Sequence, residues 1–121
     1  FIFLGFEYRW ATARSGKPLV KLRTATKKYK IAIQSIKSWI KRNRSVRLSE
    51  LMLTYKSKLN GHWNYYGVCG NFEMIYRFYG KANKIIFKWL NRRSQRKSLN
   101  WREFNNILVY YKVPHPRIVA R

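Results

Sequence analysis

Residues 58–70 read Lys-Leu-Asn-Gly-His-Trp-Asn-Tyr-Tyr-Gly-Val-Cys-Gly, and the fold turns on how this stretch is read. Three aromatics and a histidine crowd between glycines, and no residue from Leu59 to Phe72 carries a formal charge in a chain that is 26% charged. Such a segment faces inward. Gly61 and Gly67 suit a close backbone approach or a bend, so the stretch is expected to be a packed junction between the basic helical patterns on either side.

Outward from that junction, charge dominates. The chain has 27 Lys and Arg against four acids (Glu7, Glu50, Glu73 and Glu103), a formal charge of +23 over 121 residues. Self-repulsion on that scale is relieved by a polyanion. At 46% hydrophobic and 17% aromatic the chain folds rather than trailing as a basic tail. Cys69 is the single cysteine, so an internal disulfide is excluded; a reducing, cytoplasmic setting is expected, with the thiol as a small buried hydrophobe. No apolar run approaches the roughly 20 residues of a spanning helix, so no membrane partner is expected. The chain opens on Phe1 inside an apolar pattern and is read as a piece of a longer protein.

Toward the amino end, Phe1, Phe3, Phe6, Tyr8 and Trp10 with Gly5 among them have strand chemistry and a bulge at the glycine. A turn over residues 14–18 returns the chain through residues 19–24 as a hairpin, which is marginal alone and is expected to find its partners in an upstream domain.

Thr26 is the expected N-cap of a first helix over about residues 27–43, with Tyr29, Ala32, Ile33, Ile36 and Ile40 on one face. Lys30, Lys37, Lys41 and Arg44 fall within roughly 60° of one another at 100° per residue. A merely solvated face would carry interspersed Glu for pairing; this one has none. Leu48, Leu51, Met52, Tyr55 and Leu59 continue the rhythm into a second helix, antiparallel to the first, that runs into Trp63. Asn71 is the expected cap of a third helix to about Arg96, apolar along Ile75, Phe78, Ala82, Ile85, Ile86 and Trp89. Opposite lie Arg77, Lys81, Lys84, Lys88 and Arg92 within about 80° of arc, and Arg93, Arg96 and Lys97 add charge at the helix end. Asn100 and Glu103 form a capping box opening a short last helix that ends near Tyr111. Pro114 and Pro116 forbid more helix.

Several chemistries lack their residues. Cys69, His62 and His115 are too few and wrongly spaced for zinc, a catalytic triad has no Asp, and no phosphate-loop pattern occurs. No catalytic residue is assigned. Trp63, Tyr66, Trp89 and Trp101 are expected in the core, while His62 and Tyr65 are candidates for contact with RNA bases or backbone.

Phe3-Leu4-Gly5-Phe6, the run from Leu59 to Tyr66, the run from Trp89 to Ser94, Trp101 with Phe104, and the run from Pro114 to Ile118 together resemble the carboxy-terminal part of bacterial group II intron reverse transcriptase/maturases, over essentially the whole chain. The resemblance implies that residues 1–25 end a polymerase palm and residues 26–121 form the thumb, or maturase-specific domain. It implies intron RNA and the RNA/DNA template–primer duplex as partners, together with the upstream palm. The Mg2+-binding aspartate pair of the family would sit in that palm; this chain has no Asp, so no cofactor is expected in the segment itself. The expected fold is mostly α: a three-helix thumb bundle with an amino-terminal β-hairpin and a short carboxy-terminal helix. The RNA-binding residues expected are the basic residues named above together with Arg117. The alternative is a stand-alone basic nucleic-acid-binding module without polymerase activity.

Overall fold

A computed structural model describes residues 2–68, 70–93 and 98–119; Phe1, Cys69, Arg96 and Lys97, and the expected extension of the third helix toward residue 96, lie outside them. Strands β1 (Ile2–Phe3), β2 (Phe6–Thr12) and β3 (Pro18–Thr24) form an antiparallel sheet in that order, followed by helices α1 (Thr26–Arg42), α2 (Leu48–Tyr66), α3 (Phe72–Arg93) and α4 (Trp101–Tyr110). The mostly α architecture with an amino-terminal hairpin and a short last helix is as expected.

The helices order themselves through their apolar faces. Tyr55 on α2 donates to Asn83 on α3 at 2.5 Å, and His62 seven residues later stacks on Phe78 at 3.9 Å, so α2 and α3 run antiparallel. Tyr29 meets Phe78 edge-on, whereas Arg44, just beyond α1, shares a cleft with Arg92. Helices α1 and α3 therefore run the same way, packed side by side. Ile40, Leu51, Met52, Tyr55, Leu59, Trp63, Ile75 and Ile86 are fully buried between the three.

Gly5 is not a bulge: Leu4 and Gly5 both have positive φ between the paired residues Phe3 and Phe6, the two-residue pattern of a type I′ turn. Thr26 is not the cap of α1. Ala25 holds that position without a side-chain bond, and the Glu7 carboxylate reaches across from β2 toward the Thr26 N–H at 3.4 Å.

Asn71 does not cap α3 with its side chain either. Its carbonyl oxygen accepts from Thr24 N at 2.7 Å, and its amide donates to Thr24 Oγ1 at 2.7 Å and to the Tyr66 carbonyl at 2.8 Å. One buried amide thus ties the end of β3 to the end of α2. Phe6 adds packing there, stacked on Tyr65 and tilted against Tyr66. The hairpin finds partners within this chain.

The junction stretch is mostly helix. Residues 58–66 are the last turns of α2, and Gly61 sits in them with open space around it. Gly67 carries the close approach instead. A Cβ there would collide with the carbonyls of Trp63 and Arg117, because the extended residues beyond α4 cross this point and Val119 N donates to the Gly67 carbonyl at 2.8 Å. The Asn100–Glu103 capping box forms as expected. Trp101 is a correction: it opens α4 on the outside, 46% exposed, with its ring lying on Phe87 at 4.0 Å. Phe104, one turn on, takes the buried place instead.

Candidate nucleic-acid interface

Because α1 and α3 lie side by side, their basic stripes come together. A groove of about 540 Å³ between them is lined by Lys37 and Lys41 from α1 and by Lys81, Lys84, Lys88 and Arg92 from α3, with Gln34, Ser38, Ile85 and Trp89 completing its walls. Six cations line it and no carboxylate does. Ile85 is buried and Trp89 half-buried, so the groove has an apolar floor between charged rims. At an effective dielectric of about 20, two like charges 8 Å apart repel by roughly 2 kcal/mol. A polyanion laid along the groove removes that repulsion.

Not every expected residue joins it. Lys30 is exposed on α1 but does not line the groove. Arg77 pairs with Glu73 at 3.0 Å one turn away and lines a neighbouring shallow cleft with Tyr29, Tyr76, Lys81 and Lys84. Arg44 and Arg93 lie past the groove's end in a cleft shared with Trp89 and Arg92. Arg117 faces α2, where its guanidinium donates to Asn60 Oδ1 at 3.3 Å and Asn64 Oδ1 at 3.4 Å. Those two bonds tie the terminal segment to α2. Gln34, Ser38 and Ser45 carry no charge to mark them in the sequence; the first two sit on the lysine face of α1, where Gln34 donates to Ser38 at 3.3 Å, and Ser45 lines the cleft with Arg44.

The aromatic assignments divide as well. Trp63 is buried, with its indole N–H on the Pro114 carbonyl at 3.1 Å. Tyr66 is half-buried rather than core, tilted against His62 and Phe6. Tyr65 is 52% exposed, but its hydroxyl donates to the Leu4 carbonyl at 2.7 Å, so it holds the β1–β2 turn. Trp89 is half-buried with the Arg92 guanidinium 5.0 Å over its ring, a cation–π pair that fixes both at the groove's edge.

His62 does not line the groove. It is packed among Trp63, Tyr66 and Phe78, and burial lowers its pKa to about 4. The ring is neutral in the folded chain at pH 7 and adds no charge to the interface. The linkage has a definite sign. The unfolded chain, with an ordinary histidine near 6.5, takes up a proton that the folded chain refuses, so stability is full above pH 6.5 and lost as pH falls toward 4. The loss should approach about 1.4 kcal/mol per pH unit in that window. Urea unfolding at pH 7 and pH 5 checks this: His62→Phe should shrink the difference, and an unchanged difference would assign the acid sensitivity elsewhere.

Among the described residues no cluster of His, Cys, Asp or Glu could hold a metal, and no helix is long and apolar enough to cross a membrane. Compared with known proteins, residues 29–106 match the family described as group II intron, maturase-specific domain, a span that includes all six groove cations. No curated protein and no solved structure matches the chain.

Proposed function

This chain belongs to the family of the group II intron maturase-specific domain, and from that membership we propose that it serves group II intron splicing by binding the intron RNA along the groove between α1 and α3. The observation that carries this reading is the convergence of six cations from two helices on one groove without a carboxylate. Phosphates of an RNA strand are the matching charge, spaced along a backbone as the lysines are along the helices.

The same groove would grip the RNA/DNA template–primer duplex wherever the chain is joined to a polymerase palm holding Mg2+. Trp10 and Val20, cross-strand partners that are both exposed, leave an apolar sheet face suited to packing on such a palm. A stand-alone nucleic-acid-binding module remains the rival. A splicing assay separates the two, since only the maturase reading predicts that intron RNA splices faster with the protein than without it.

The first test is salt. Six phosphate contacts predict that affinity for intron RNA falls roughly 10³-fold between 50 and 200 mM monovalent salt. Filter binding across that range checks it. A flat response would remove the electrostatic basis of the proposal.

A further inference from the structure

The groove does not end at Arg92. Beyond it, at the carboxy-terminal end of α3, a cleft of about 500 Å³ is lined by Arg44, Ser45, Trp89, Arg92 and Arg93. We propose that this cleft is a fixed seat for one phosphate of the bound RNA strand, gripped by Arg93 with Arg44 and Arg92; it rests on the RNA-binding reading above and says where that strand is pinned.

Four observations support the seat. Arg93 Nη1 is buried and has no hydrogen-bond partner among the described residues. A buried charged donor without an acceptor is costly, and a small turn of the guanidinium toward the cleft that Arg93 lines would let an anion there satisfy it. The cleft's lining holds three guanidinium groups and a serine, with no carboxylate to neutralise them. Arg92 is held in place over the Trp89 ring at 5.0 Å, so part of the seat is ordered before any ligand arrives. Trp89 and Arg92 also line the groove, which makes cleft and groove one continuous path for a strand.

The helix end opposes an anion, but weakly. The macrodipole places about half a negative charge at the carboxy terminus of α3, against three full positive charges from the arginines. The seat differs in kind from the lysine groove. Lysines attract phosphates as point charges, whereas guanidinium groups fork onto two oxygens of one phosphate, so the cleft sets register where the groove sets affinity.

That difference supplies the test. Arg93→Lys keeps the charge but not the fork. It should raise the Kd for intron RNA about tenfold while leaving the slope of log Kd against log salt within a few tenths of wild type. Arg44→Lys, at an exposed position, should weaken binding several-fold with the melting temperature unchanged, and it keeps the question open to measurement if Arg93→Lys fails to fold. Inorganic phosphate at constant ionic strength should compete with RNA on the wild-type chain and less on either variant. Unchanged RNA affinity in both variants would overturn the seat, even if inorganic phosphate still bound, since the anion held there would then not belong to the strand. Wild-type RNA binding that persists through that failure would leave the groove reading standing, whereas absence of wild-type binding would remove both.

Discussion

Trp63→Ala should cost the fold about 3 to 5 kcal/mol, a large share of the 5 to 15 kcal/mol that holds a domain together. The indole is wholly buried and lies edge-on to Phe78 and Tyr79 of α3 at 6.1 and 6.0 Å. Truncation would open a cavity where α2 meets α3. It would also strand the Pro114 carbonyl, which the indole N–H now bonds at 3.1 Å, and release the terminal segment that crosses Gly67. RNA affinity should fall only because the folded population falls. Urea unfolding and RNA binding on the same protein check this. An unchanged unfolding midpoint with weakened binding would make Trp63 a base-stacking residue instead. Tyr65→Phe is the gentle companion: it loses the bond to Leu4 but keeps the stack on Phe6, and should cost about 1 kcal/mol.

Asn71→Leu should be of similar size, about 3 to 5 kcal/mol, although it keeps the branching and the heavy-atom count of the side chain. The loss is in hydrogen bonds. Thr24 N and Thr24 Oγ1 bond the Asn71 amide and are buried with it, while the Tyr66 carbonyl, its third partner, keeps the Val68 N–H at 2.8 Å. Water does not readily replace those partners, and each buried group left unpaired costs about 1 to 3 kcal/mol. The sheet should loosen first. Hydrogen exchange would show Thr24 and its β2 neighbours losing protection before Ile75 and Ile86 in α3; uniform loss across both would mean that the sheet and helices unfold as one unit.

How much of this was legible in the sequence depended on the range of the interaction. All four helices follow from apolar spacing and, for α4, from a capping box closed within four residues, all of which are local. The two basic stripes were legible for the same reason. Their meeting in one groove was not, because the parallel packing of α1 on α3 is set by what α2 does between them. Asn71 looked like a helix cap because a cap is what Asn before an apolar run usually is; its partner Thr24 lies 47 residues away. Arg117 looked like a free cation, yet the crossing at Gly67 brings it to Asn60 and Asn64. His62 and Trp101 are hard to place from sequence for a related reason. Helical phase places both near an apolar face, and only the facing ring, Phe78 for one and the outer side of Phe87 for the other, decides which is enclosed.

If α1 and α3 present one groove to intron RNA, replacing Lys81, Lys84 and Lys88 together by Gln removes half of its cations. All three are exposed groove residues, so the fold should survive with its melting temperature unchanged or slightly raised. Measured against intron RNA from 50 to 200 mM salt, the triple variant should lose about half of the wild-type salt slope, since each lost phosphate contact removes roughly 0.7 to 0.9 from it. A variant that folds as the wild type does, and binds intron RNA with the wild-type slope and affinity, would mean that the RNA does not lie along this groove.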